Sequence, residues 1–252
     1  MRKEDLKTRE GVYARTVTVK PDIADANGTM TVLAVAANMQ EAAGDQLIDL
    51  KIGFDVTSSL KLLWVVVWSE FTFIRLPKVG ETVTFYTWPG KKVHWFYPRR
   101  AYVFDENGNE LIHASYLWML MDADTRKVTE DKGVLGVLPV VSIEGECKIP
   151  PMKIPFPEEL KERSSRTVME DEIDNNRHLN NAHYLNWIMQ IAEEAGFATD
   201  QLQSLWINYK KEILPGDTVR IAYERSDSEL FVSGDGDGEH HFVAKLLFSL
   251  DK

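Results

Sequence analysis

The chain carries the same order of features twice. In the first half an acidic segment, 22–28, precedes a helical run ending at Glu41-Ala42-Ala43-Gly44. An apolar stretch, 64–74, follows, and then Leu76-Pro77 and Gly80-Glu81-Thr82-Val83. In the second half, segment 174–180 precedes a run ending at Glu193-Glu194-Ala195-Gly196, followed by 205–213, Leu214-Pro215 and Gly216-Asp217-Thr218-Val219. Gly44 and Gly196 lie 152 residues apart and Gly80 and Gly216 lie 136 apart, so the second helix-to-strand connection is the shorter. Four features in matching order point to duplication, which limits the fold to two similar units.

Each unit reads as one helix among strands. Val32, Ala36, Met39, Ala43 and Leu47 recur at helical spacing, as do Leu185, Ile188, Met189, Ala192 and Ala195. Aromatic and β-branched runs come next: 62–74, 83–88, 93–104 and 110–121 in the first unit, then 205–213, 217–225, 229–233 and 240–250 in the second, separated by Pro- and Gly-containing turns. A central helix wrapped by an antiparallel sheet is the hotdog arrangement, so the expected class is α+β, a double hotdog. Residues 134–163 contain five prolines and read as a linker. The expected division is therefore an N-terminal unit 1–133, the linker 134–163 and a C-terminal unit 164–252.

Composition excludes several functions. The longest apolar run, Leu62–Trp68, spans seven residues, against about 20 for a membrane-spanning helix. Met1–Gly11 reads as neither a secretory signal nor an import leader, so the expected location is the cytoplasm. A net charge of -10 disfavours nucleic acid. Cys147 is the sole cysteine, so the chain can form no internal disulfide and no cysteine zinc cluster.

The dense polar cluster is Asp174-Asn175-Asn176-Arg177-His178-Leu179-Asn180-Asn181, directly before the second helix. If extended, it projects Asp174, Asn176 and His178 to one side. Asn180 or Asn181 suits an N-cap, and the helix start offers amides for a negative oxygen. Hydrolysis of an activated ester needs this pairing of a base with preplaced donors. His178 and His183 are five apart, on different helix faces, so no metal site is expected. Gly234 to Gly238 reads as a hairpin turn, and His240-His241 as strand residues without function.

The string D-x-N-x-H-[VL]-N-N before an amphipathic helix, matched by Asp174, Asn176, His178, Leu179, Asn180 and Asn181, resembles the signature of the acyl-ACP thioesterases. Glu212, in Asn208-Tyr209-Lys210-Lys211-Glu212, matches the Glu that completes the family's site. Plant members often carry a cysteine after that Glu, but Ile213 stands here, which argues against a thiolate mechanism. The resemblance implies hydrolysis of acyl-ACP to free fatty acid, with Asp174, Asn176, His178 and Glu212 catalytic and no cofactor. Either Glu212 or Asp174 could activate water.

The offset of 152 puts Asp22, Ala24 and Ala26 opposite Asp174, Asn176 and His178, so the first unit lacks the amide and imidazole and is free to shape the acyl tunnel, with Trp64, Trp68, Phe71 and Phe73 compatible with lining it. The implied partner is acylated carrier protein with its phosphopantetheine arm. Basic pairs at Lys91-Lys92, Arg99-Arg100, Arg126-Lys127 and above all Lys210-Lys211 are candidate contacts for that acidic partner, and Asn180, Asn181, Lys210 and Lys211 are the candidate substrate-binding residues. A coenzyme A carrier, a non-catalytic acyl-binding hotdog and further pairing into a homodimer are the alternatives left open.

Overall fold

The computed structural model describes every residue except 132, 144–153, 155, 156, 158, 159, 175, 237, 251 and 252. Cys147 and most of the proline-rich stretch fall outside the described residues. The chain divides into two compact units, Met1–Val67 with Ile74–Pro150 and Trp68–Phe73 with Pro151–Lys252.

The first unit contains α1 (Lys3–Lys7), β1 (Tyr13–Thr18), α2 (Val32–Asp49), α3 (Phe54–Ser59), the first half of β2 (Leu62–Phe73), β3 (Thr82–Pro89), β4 (Tyr97–Phe104) and β5 (Glu110–Asp122). Its antiparallel strands run in the order β1-β3-β4-β5-β2. Thr31 caps α2 by accepting from the Ala34 amide at 3.1 Å, a bond worth about 1 kcal/mol. The apolar face of α2, with Val32, Val35, Ala36, Met39 and Ala42 buried, packs on β1 and β3. The helix does not stop at Gly44 as the sequence suggested; it continues to Asp49 with Gly44 in its interior.

The second unit contains β6 (Lys161–Thr167), α4 (Asn181–Glu194), β7 (Leu202–Tyr209), β8 (Thr218–Arg225), β9 (Glu229–Gly236) and β10 (Glu239–Phe248). Its strand order is β2-β7-β10-β9-β8-β6, the later part of β2 pairing Trp68–Thr72 with Asn208–Ser204. Here the helix does end where expected. Gly196 takes a left-handed φ of +86°, and Phe197 folds back to stack on Phe248 with ring centroids 4.1 Å apart.

Both units are a helix against antiparallel strands, and the α+β double hotdog is the observed class. The anticipated strand 93–104 is shorter, because Val93 and Phe96 exchange main-chain hydrogen bonds in a tight turn and pairing starts only at Tyr97. Gly234 and Gly236, read as turn residues, lie in β9. The aromatic set proposed for a tunnel divides: Trp64 lies in the first unit, whereas Trp68, Phe71 and Phe73 are buried in the second.

Candidate active site

Asp174 and residues 176–179 fold into a tight turn, not the extended run that would splay alternate side chains. Ile173 and Leu179 form an isolated bridge, and the Asp174 amide donates to the His178 carbonyl at 2.8 Å. Asp174 Oδ1 turns back into this loop and accepts from the amides of Asn176 at 2.8 Å and His178 at 3.2 Å. Arg177 sits at the corner with φ of 62°. The loop is tied down on both sides, Asn180 N to Glu172 O at 2.8 Å and Leu179 N to Ile213 O at 2.9 Å.

That last bond brings His178 and Glu212 together. His178 Nε2 stands 3.4 Å from Glu212 Oε2, with the two side chains 13% and 28% exposed. The pair is shielded on the protein side and open enough to admit a water. Directly after the loop, Asn180 caps α4 by accepting from the Ala182 amide at 2.9 Å, and its carbonyl takes the His183 amide at 2.8 Å. The Asn181 amide is the next donor at this positive helix end.

Glu212 lies beyond the end of β7, in a loop held by a residue the sequence reading set aside. His241 is buried, and its Nδ1 lies 3.0 Å from the Glu212 main-chain oxygen, which requires the proton on Nδ1. The His241 carbonyl accepts from the amides of Lys210 and Lys211 at 2.8 and 3.1 Å. The other edge of the ring rests against Gly236, where a Cβ would come within 2.5 Å of Nε2. Beneath lie Tyr184 and Tyr209, edge to face at 5.2 Å. Burial, then the neighbouring Tyr209 and Glu212, pushes the Tyr184 hydroxyl far above its ordinary pKa, and burial does the same to Tyr209. Both remain neutral. The Tyr209 hydroxyl reaches the Asn181 carbonyl at 3.5 Å and Ser69 Oγ at 3.4 Å.

The first unit contains the same loop. Asp25 Oδ1 accepts from Asn27 and Thr29 at 2.9 and 2.8 Å, Asp25 N donates to Thr29 O at 2.8 Å, and Met30 N donates to Pro77 O at 2.8 Å. Gly28, with φ of +72°, occupies the corner taken by Arg177. Asp174 therefore corresponds to Asp25, not Asp22, because the offset of 152 was set on Gly44, which lies inside α2, whereas the N-caps Thr31 and Asn180 keep the loops in step. Asn176 falls on Asn27, His178 on Thr29 and Glu212 on Leu76. The first unit keeps the Asp and an Asn and lacks the imidazole and the Glu, which corrects the expectation that it lacked the amide.

Residues 10–131 match the family model of the acyl-ACP thioesterase N-terminal domain, and residues 157–243 that of the C-terminal domain. The chain belongs to the acyl-ACP thioesterase family. A chloroplastic acyl-[acyl-carrier-protein] hydrolase of Cuphea viscosissima is 25% identical over 217 residues, 80% of this chain and 52% of that protein. A chloroplastic dodecanoyl-[acyl-carrier-protein] hydrolase of Cinnamomum camphora is 25% identical over 95% of this chain and 64% of its own length. The chain thus spans about half to two thirds of these plant relatives. Among solved structures, an acyl-ACP thioesterase from Bacteroides thetaiotaomicron aligns with a TM-score of 0.78 at 21% identity, covering 95% of this chain and 98% of that one. The 12:0-ACP thioesterase of Umbellularia californica gives 0.78 at 20% over 96% and 98%. At these identities the likeness is one of fold.

Within this family member, Lys210 and Lys211 are exposed and line an open groove of about 740 Å³ with Arg220, Asp235, Glu239 and His240. Lys211 Nζ lies 3.7 Å from Glu239 Oε2, and His240 pairs with Asp235. Arg99 and Arg100 are 8% and 6% exposed, so neither can meet a macromolecular partner at the surface, contrary to expectation. His183 is only half-buried and its Nδ1 is 3.7 Å from Glu172 Oε1. Among the described residues no three of His, Cys, Asp and Glu gather to hold a metal, and no helix is long and apolar enough to cross a membrane.

Proposed function

We propose that the chain hydrolyses acyl thioesters carried on acyl carrier protein, with chemistry at His178 and Glu212. The observation that supports this reading most is the pairing of His178 Nε2 with Glu212 Oε2 at 3.4 Å beside the capped start of α4, in one unit only. Glu212 is the base: it takes a proton from a water whose oxygen attacks the thioester carbonyl carbon. The carbonyl oxygen gains charge facing the positive end of α4, with the Asn181 amide and the Asn176 side chain as donors. As the intermediate collapses the C–S bond breaks, and the proton passes from Glu212 through His178 to the departing thiolate. Thioester and water give carboxylic acid and thiol.

Asp174 serves by position in this scheme. Its carboxylate is occupied by two main-chain amides, and Asp25 does the same work in a unit without the imidazole or the Glu. Lys210 and Lys211, exposed beside Glu212, suit the acidic carrier and its phosphopantetheine arm. A single cysteine, which leaves no disulfide within the chain, fits a reducing compartment such as the cytoplasm.

The test is thiol release from acyl-ACP by the wild type, Glu212→Gln and His178→Ala, with circular dichroism confirming the fold. Each substitution should lower kcat by about a hundredfold or more. Wild-type rates in a folded His178→Ala protein would remove the assignment. The same acyl chain on coenzyme A is the control for the carrier, and a clear preference for that ester overturns the carrier-protein reading.

A further inference from the structure

The first unit holds a partly open cavity of about 170 Å³ against α2, mostly apolar and walled by Leu47, Trp64, Tyr97, Trp118 and the stem of α2 at Gly44, with Arg99 in its lining. For scale, an engineered cavity of about 150 Å³ admits benzene. Two features of this wall do not suit an empty packing defect.

The first is charge. Arg99 is more than nine-tenths buried, its Nη1 donates to Gln46 Oε1 at 2.9 Å and Thr87 Oγ1 at 3.1 Å, and among the described residues no carboxylate lies within ion-pair distance. Burial alone draws its pKa down to about 10. A guanidinium has five donors, and a buried cation without a counter-ion is costly. The indole N–H groups of Trp64 and Trp118 are also buried without an acceptor, so this wall has donors to spare and no acid.

The second is Gly44. It stands inside a helix, where glycine costs about 1 kcal/mol relative to alanine, and a Cβ there would meet nothing within 4 Å. The space beside it is therefore left open at the expense of helix stability, and no steric demand for glycine accounts for it.

We infer that this cavity is a binding site for an apolar carboxylate of about six carbons, its body among Leu47, Trp64, Tyr97 and Trp118 and its carboxylate against Arg99. A plain alkyl tail would fill the apolar part and leave the guanidinium uncompensated. The same chemistry could come from a free fatty acid or from an acyl chain that carries a second carboxylate at its far end. The second source rests on the proposed hydrolysis; the site itself does not.

Binding of hexanoate and of hexanol to the full chain is measured by calorimetry and by tryptophan fluorescence, without any hydrolysis. Hexanoate should bind at least tenfold tighter than hexanol. Arg99→Met should abolish the difference, and Gly44→Leu, which fills the cavity, should abolish binding of both. Equal affinities in the wild type overturn the site, as does unchanged hexanoate binding in Gly44→Leu, which decides the matter should Arg99→Met fail to fold. With the site established, hydrolysis of hexanoyl and 5-carboxypentanoyl thioesters on one carrier separates the sources. A preference for the carboxylated chain that Arg99→Met removes supports a substrate site, and no preference with hexanoate binding intact supports a site for the free acid. Hydrolysis of neither ester, with hexanoate bound, would count against the thioesterase reading and leave the carboxylate site standing.

Discussion

Asp174 and Asp25 offer a controlled comparison, because each carboxylate accepts from two amides of its own loop. Replacing either with Ala orphans those amides, at about 1–3 kcal/mol. Denaturant midpoints should fall in both variants, but turnover only in Asp174→Ala, since Thr29 and Leu76 stand where the second unit has His178 and Glu212. Full turnover in Asp174→Ala would show that the loop holds its shape unaided. Gly236→Ala tests the support beneath Glu212: the new methyl group meets the His241 ring and displaces the contact to the Glu212 carbonyl. Turnover should drop about tenfold, on the scale of a displaced catalytic group, with far-UV dichroism unchanged. The candidate site residues were legible in the sequence because D-x-N-x-H-[VL]-N-N and the setting of Glu212 resemble the family's signature. The direction of Asp174 was not, since alternation assumes an extended chain and Asp readily bonds its own backbone instead. His241 was unreadable for another reason: its partner carbonyl lies 29 residues away, and a histidine in a strand announces nothing.

At the scale of elements, the two glycines that the sequence pattern paired behave differently. Gly196 closes α4 in the left-handed region, whereas Gly44 is passed through by α2. Sequence similarity around them invited one reading for both, and only backbone conformation separates a terminator from an interior residue. Gly44→Ala should raise stability by about 0.5–1 kcal/mol, read as a higher melting temperature, because the added methyl group enters open space. A lower melting temperature would mean that the cavity wall closes on that position. The central strands were recovered from their apolar runs to within a few residues. The edge strand β1 was missed, since it alternates half-buried and exposed residues, whereas β6, Lys161 to Thr167, polar throughout, begins in the stretch read as a linker with room for a short edge strand. A strand with one neighbour needs little apolar surface, so its pattern does not stand out from a loop.

For the molecule as a whole, the duplication and the fold class followed from pattern, while the offset between the units did not, because α2 has 18 residues and α4 has 14, so the glycines used to set the offset do not mark equivalent positions. The net charge of -10 would oppose the proposed acidic carrier at long range, so that proposal assigns the encounter to local cations. Lys210→Ala with Lys211→Ala should raise KM for acyl-ACP at low ionic strength with kcat nearly unchanged, and the gap from wild type should narrow as salt is added. An unchanged KM at low salt would exclude this pair from docking. One feature of β2 reaches further. The chain divides in the middle of that strand, Val67 going with one unit and Trp68 with the other. A fragment begun at Pro151 leaves Trp68–Phe73 behind, and with it the neighbour of β7 from Ser204 to Asn208. Its bare edge would template self-association. The first copy has lent the second a piece of backbone, so a single cut of the chain cannot release the second as an independent module.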